Sequence, residues 1–327
     1  MSKMRTDTAT AANWLSLGPW IRTSAPFLVL IGLVALIGIL KPGFVSIDTL
    51  VVVMADTATL FILAAGVTFV VMLGGIDLSI QAVASLSSVI IAVTLNRAGY
   101  WAFPAALLAG LAIGCFSGIV HVWLRIPSFI VTLATSGLAA AAALVMSQGR
   151  SITIGDTGRS FLSWIIGRFF GVPNVIIVAA AVGGIGILAQ CYTAFGRYST
   201  AIGAGEAATW ASGVAVNHQK VIAYALSAML AALAGILLAG RLSSGSPTLA
   251  NELLLPAIAA VVVGGTAITG GAGGIGRTAI GALIISVVRV GMTFIGVNIF
   301  AQQIVFGAVL IMAVAATIDR TKVLIVK

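Results

Sequence analysis

The stretch LVVVMADTATLFILAAGVTFVVMLGGIDLSIQAVASLSSVIIAVTL, residues 50–95, decides the fold. Two apolar runs, 50–73 and 78–95, flank a short break at Gly74-Gly75-Ile76-Asp77. Each is close to the roughly 20 apolar residues that a helix needs to cross a bilayer. Backbone polar groups in lipid must be satisfied within their own segment, so runs of this kind are read as helices. The pattern continues in both directions. Apolar segments fall at 25–40, 50–73, 78–95, 102–124, 128–147, 174–192, 219–240, 253–269, 278–296 and 300–318. The expected fold class is all-α, a polytopic membrane protein of about ten transmembrane helices. Closely spaced neighbours are either hairpins or the halves of broken helices.

Composition agrees with that reading. Of 327 residues, 60% are hydrophobic and 8% are charged, and the mean hydropathy is +1.18. A soluble domain needs about 25% charged residues to cover its surface. No polar block is long enough for a second domain, so residues 25–318 form one membrane domain between cytoplasmic tails at 1–24 and 319–327. The net charge of +9 is not a nucleic-acid signature, because the 17 Lys and Arg residues are scattered rather than clustered. They report orientation instead. With the N-terminus inside, Lys3, Arg5, Arg22, Arg125, Arg197, Lys220, Arg277, Arg320, Lys322 and Lys327 lie on the cytoplasmic side. Lys41, Arg97, Arg150, Arg159, Arg168 and Arg241 lie outside, and this bias predicts an N-in, C-in chain. Lys41-Pro42-Gly43, rather than a small-residue cleavage site, follows the first segment, which is expected to be retained. Cys115 and Cys191 have no metal-ligand spacing and read as packing residues. No metal and no cofactor are expected.

A charge within the bilayer needs a partner or a function. Asp77 reads in two ways. Gly74 or Gly75 ends one helix in a left-handed conformation and Asp77 caps the next, or the break lines a solute pathway with freed backbone groups and a carboxylate. Asp56 is either a water-reaching or Thr-bonded acid near the external end of its segment, or a solute ligand. Arg289, near the middle of the ninth segment, reads as a structural partner before a solute contact. Asp56 has no second acid spaced for a proton relay, and His121 and His218 sit at segment ends, which disfavours a proton-coupled carrier. GTAITGGAGGIG at 265–276 is Gly-rich but follows an apolar span and lacks an acidic partner, so it is a poor dinucleotide motif. GGIDLS at 74–79 and GGTAIT at 264–269 form a weak internal match.

Two connections are long, 148–173 outside and 193–218 inside. Within the second, AGEAATWASG predicts a short helix, with Gly before it, Glu206 in the first turn and Gly213 at its end. It is either a docking knob or an ordinary amphipathic surface helix. A secondary transporter or channel without ATP, a membrane-embedded enzyme and a non-transporting scaffold are the competing functions. The spans hold no metal-ligand cluster or nucleophile–base pair for the enzyme.

MLGGIDLSI at 72–80, IPSFIVTLAT at 126–135, FGRYSTAIGAGEAATWASGVAV at 195–216, AIAAVVVGGTAITGG at 257–271 and QQIVFG at 302–307 occur in that order. In these stretches the chain resembles the permeases of bacterial ribose-type (simple-sugar) ABC importers, from about residue 40 to residue 318. The resemblance implies a ten-helix inner-membrane subunit, not itself an enzyme, that moves a monosaccharide or polyol-like solute by alternating access. It implies a cytoplasmic ATP-binding subunit, a periplasmic solute-binding protein docking on loops such as 148–173 and 241–252, and a second permease subunit in a homodimer. It places the ATPase-coupling helix on Ala201, Ile202, Gly203, Glu206, Ala208, Ser212 and Gly213. The candidate solute pathway comprises Asp56, Gly74, Gly75, Asp77, Ser79, Gln81, Thr132 and Thr135. The chain departs from the family at Ala204-Gly205, where Gly-Asn is usual, at Trp210, where a basic residue is common, and at Gln81, Leu254 and Pro256. Pentose, hexose, polyol and signalling-sugar cargoes all stay open.

Overall fold

The computed structural model describes residues 19–317. Most of the predicted tails (residues 1–18 and 319–327), with Lys3, Arg5, Arg320, Lys322 and Lys327, lie outside the described residues. The chain folds as α1 (Pro19–Leu40), α2 (Ile47–Met72), α3 (Ile80–Ala98), α4 (Ala102–Trp123), α5 (Ser128–Ser147), α6 (Asp156–Phe161) and α7 (Ser163–Ile166). It continues as α8 (Asn174–Tyr192), α9 (Ala194–Ala204), α10 (Glu206–Ala211), α11 (Val216–Leu242), α12 (Leu254–Val263), α13 (Ile275–Phe294) and α14 (Ile299–Thr317). It is an all-α polytopic membrane protein. Among the described residues, six apolar runs are long enough to cross a membrane: 47–72, 80–123, 128–147, 174–192, 216–242 and 275–294. The run 80–123 holds α3 and α4, which turn at Gly99 and pack on each other.

The segment expected at 253–269 is corrected. Its helix, α12, is ten residues long, about 15 Å at 1.5 Å per residue, or half a bilayer core. Two glycines stop it. Gly265 takes φ +91°, its N–H donates to Val262 O at 2.8 Å, and Thr266 N–H donates to Val261 O at 3.1 Å. This pair of bonds is a Schellman stop. The end of α2 is built the same way, with Gly74 at φ +78°, Gly74 N–H on Val71 O at 2.9 Å and Gly75 N–H on Val70 O at 3.0 Å. Gly74 therefore corresponds to Gly265, one residue off the match at 264–269 that the sequence suggests.

Helix α11 is the centre of the packing. Its neighbours α2, α3 and α4 approach to backbone contact because they place small residues there. A Cβ on Gly114 of α4 would lie 2.3 Å from Tyr224 O, and one on Gly118 would lie 2.8 Å from Val221 Cα. Gly66 of α2 meets Ser227, and Gly235 of α11 meets Ala84 of α3. By contrast, α8 and α14 leave Ile185, Leu188, Phe300, Ile304 and Ile311 exposed. In water such surfaces would be aggregation-prone patches, whereas lipid covers them. Cys191 on α8 is exposed too and is not a packing residue, while Cys115 is half-buried.

The long connections carry structure. On one side of the molecule, β1 (Ile152–Thr153) pairs antiparallel with β4 (Ser244–Gly245), joining the segments 148–173 and 241–252. β2 (Arg168–Phe169) and β3 (Val172–Pro173) close a hairpin ahead of α8. The 193–218 connection, expected as a loop around one short helix, is mostly the two helices α9 and α10.

Candidate solute pathway and coupling region

The break between α2 and α3 is held from several sides. Asp77 is buried and its Oδ1 accepts from Ser79 N–H at 2.9 Å and Ser79 Oγ at 2.6 Å. Its Oδ2 accepts from Ser227 Oγ of α11 at 2.7 Å. The capping expectation is thereby corrected: Ser79 is the N-cap of α3 and makes no side-chain cap bond. Asp77, two residues earlier, ties the break down to α11. From α5, Ser128 Oγ accepts from Ile76 N–H at 3.1 Å, and Thr132 Oγ1 donates to Ile76 O at 3.2 Å. Both backbone groups of Ile76, which no helix satisfies, thus find hydroxyl partners.

A second break, residues 264–274 between α12 and α13, meets the first. Gly271 N–H donates to Met72 O at 3.0 Å. A Cβ on Gly270 (φ +86°) would lie 2.8 Å from Gly74 N and 2.9 Å from Gly203 Cα. A Cβ on Gly203 would lie 2.0 Å from Met72 O and 2.2 Å from Gly271 N. Three chain segments (the end of α2, the end of α9 and the second break) therefore touch through backbone alone. Gln190 Oε1 accepts from Ile275 N–H at 2.9 Å and anchors the start of α13 to α8.

The predicted coupling residues divide into two sets. Ala201, Glu206, Ala208, Ser212 and Gly213 are exposed. Ile202 is 2% exposed and Gly203 is half-buried, wedged in the junction just described; both fix α9 to the body of the protein. Helix α10 ends as the sequence indicates, with Gly213 at φ +83° and its N–H on Trp210 O at 3.0 Å. Trp210 is 70% exposed on this helix. Glu206 pairs with Lys220 of α11 at 2.7 Å.

The predicted pathway residues also separate. Gly74, Gly75, Asp77, Ser79 and Thr132 gather at the first break, and Gln81 is half-buried in the first turn of α3. Thr135 accepts from Ser117 Oγ of α4 at 3.0 Å and sits at a helix–helix contact. Asp56 lies far along α2 and is engaged through both oxygens by Arg289 of α13. Its partner is this arginine rather than a threonine, and its side chain stays 13% exposed. Arg241, counted outside by sequence, belongs to the last turn of α11 and donates to Ala55 O at 3.0 Å and Thr59 Oγ1 at 3.2 Å. Sequence reasoning missed this third charge, although an arginine so close to an apolar run was a signal for it. Beside the first break a cavity of about 350 Å³ is walled by Gly75, Ser128, Tyr224 and the Glu206–Lys220 pair.

Small-residue helix contacts, two glycine-broken connections that meet each other and an attached surface helix are the features of a multi-pass membrane protein with broken helices. The profile of the family described as branched-chain amino acid transport system / permease component matches residues 49–314. The chain belongs to that family. It is similar to the ribose import permease protein RbsC of Haemophilus influenzae, 36% identical over 304 residues that cover 92% of this chain and 94% of that protein. RbsC of Escherichia coli K12 is 37% identical over 319 residues, 95% of this chain and 98% of that one. The fructose import permease protein FrcC of Rhizobium meliloti is 32% identical over 307 residues, 89% and 84% of the two chains. No solved structure matches. The chain is thus an ABC-importer permease of the bacterial inner membrane, and ATP hydrolysis resides in a separate subunit.

Proposed function

We propose that the cargo is a monosaccharide or a related polyol, delivered by a periplasmic solute-binding protein and moved by alternating access through a homodimer of this chain. The observation that carries the cargo assignment is near full-length similarity to permeases named for ribose and fructose. The family description names branched-chain amino acids, so the profile alone leaves both cargo classes in play. The working topology is ten membrane segments, N-in and C-in, with α12 crossing half of the eighth and the glycine-rich residues 264–274 completing it as irregular backbone packed on protein; its orientation rests on the Lys and Arg distribution.

In this reading α10 is the coupling helix. Its exposed Ala208, Trp210, Ser212 and Glu206 fit a groove of the ATPase, and the backbone junction at Gly203 carries its displacement to both glycine breaks. Asp77, Ser79 and Thr132 line the cargo's route near the first break. Nucleotide shifts the access equilibrium only if the ATPase pair binds one state better than the other. The experiment is uptake into vesicles holding this chain with its ATPase and binding protein, using labelled ribose, fructose and leucine. ATP-dependent sugar uptake is expected. Uptake of leucine and of neither sugar would reverse the cargo assignment.

A further inference from the structure

We propose that the cavity between the end of α2, the α4–α5 turn and the start of α11 is a cytoplasm-side binding site for a small, neutral, polyhydroxylated solute. Its occupant holds α10 against α11, so that solute already inside slows the transporter. The proposal rests on the orientation and coupling role given above. The cavity's volume, about 350 Å³, lies in the range of roughly 300–1,000 Å³ typical of small-ligand sites.

The wall chemistry points to the ligand. Tyr224 is 2% exposed, yet its hydroxyl makes no well-formed hydrogen bond within the protein. A buried hydroxyl without a partner is costly, and one that borders a cavity is a standing donor and acceptor for an occupant. Ser128 lies beside it. Its oxygen accepts from Ile76 N–H, and its proton faces Tyr224 Oη or an occupant. His121 Nδ1 is 2.6 Å from Ile126 O, which requires the proton on Nδ1 and turns Nε2 to other partners. The His121 ring meets Tyr224 edge-on at 5.6 Å. Phe129 adds an exposed ring at the rim.

Glu206 and Lys220 close the set, paired with each other at 2.7 Å. Their charges cancel, so the wall favours neither an anion nor a cation. Hydroxyl, imidazole and carboxylate groups beside an aromatic face match a sugar's hydroxyls and its C–H surface. Glu206 belongs to α10, while Lys220 and Tyr224 share one face of α11. A solute bonded to both sides therefore opposes their separation.

Tyr224→Phe is the decisive variant, because it deletes a hydroxyl whose polar neighbour, Ser128 Oγ, keeps its bond to Ile76 N–H. Gly75→Ala is a second, since its Cβ would lie 2.4 Å from Tyr224 Oη and displace the ring. Saturation-transfer NMR on the full-length chain in nanodiscs, with ribose or fructose as the probe, reads binding without any need for transport. Binding is expected, about three- to tenfold weaker in Tyr224→Phe, the effect of one neutral hydrogen bond. In reconstituted transporter, the same sugars on the ATPase side should slow ATP hydrolysis in the wild type and not in Tyr224→Phe. Absence of sugar binding, or binding and inhibition equal in wild type and Tyr224→Phe, would overturn the site. Absence of all uptake alongside normal NMR binding would instead count against the transport reading.

Discussion

Arg289 of α13 grips Asp56 of α2 through both carboxylate oxygens, with Nε 3.1 Å from Oδ2. Arg241 of α11 stands beside them and feels both charges. Three helices are thus fastened around one acid, with two cations and one anion. Removing one member of a fully buried pair costs about 3–5 kcal/mol because the other charge is left uncompensated, and this part-buried pair should lose less. The two losses are expected to be unequal here. Asp56→Asn leaves two arginines facing each other, whereas Arg289→Met leaves Asp56 near Arg241. Thermal unfolding of the purified protein should rank Asp56→Asn as the more destabilised. The double variant Asp56→Leu/Arg289→Met should recover part of the loss. Equal loss in both single variants would remove Arg241 from the account.

Two glycines in one short stretch are expected to behave in opposite ways. Gly203→Ala drives a methyl group into Met72 O and Gly271 N, where backbone cannot retreat. The cost should reach about 4 kcal/mol or more, seen as loss of folded protein on size-exclusion chromatography. At Gly205 the nearest atom to an added Cβ is Ala208 Cβ at 4.0 Å, and φ is −178°, extended backbone open to any residue. Gly205→Asn should change stability by less than about 0.5 kcal/mol.

Topology is tested with single cysteines at exposed positions in a background of Cys115→Ala and Cys191→Ala. Ser212 on the α10 side and Thr157 on α6 are both exposed. Ser199, which looks like a loop residue in sequence, is buried with its hydroxyl on Phe195 O and would label from neither side. An impermeant thiol reagent added to intact cells should modify Thr157→Cys and spare Ser212→Cys. Modification of both from outside would reject the N-in, C-in arrangement.

Coupling should be separable from folding at α10. The Glu206–Lys220 pair has one well-exposed partner, so its loss costs the fold at most about 1 kcal/mol. Glu206→Lys is therefore expected to reach the membrane at normal levels while ATP-driven uptake falls by more than about tenfold, an effect of one charged contact in a partner's groove. Gly213→Val forces a β-branched residue to φ +83° and should unwind the end of α10, with the same split between membrane level and uptake. Normal uptake in both variants would show that α10 is not the coupling element.

Much of this architecture is written in local sequence because its causes are short-range. Runs of apolar residues make helices wherever water is absent, and Gly74 and Gly213 stop helices through bonds spanning only a few residues. Glu206 at the start of α10 is legible for the same reason. The weak likeness of GGIDLS to GGTAIT was real at the level of helix ends, although the register moved by one residue once the hydrogen bonds were known. The length of α12 was not legible. The residues after Gly265 stay uncharged, Thr-Ala-Ile-Thr, while the backbone has already left the helix.

Other features have no local signature. Asp56 and Arg289 are 233 residues apart, and nothing near either names the other. Ile202 and Ala201 are adjacent, yet one is core and the other surface, because α9 lies against α2 and the second break along one edge only. Gly203 and Gly205 are equivalent as letters and opposite in space. Hydropathy cannot separate lipid-facing from protein-facing positions, since both are apolar in a membrane protein. The sequence determined which segments leave water and where their helices stop. Tertiary packing decided which faces meet, because that choice depends on close fit between surfaces of nearly identical polarity.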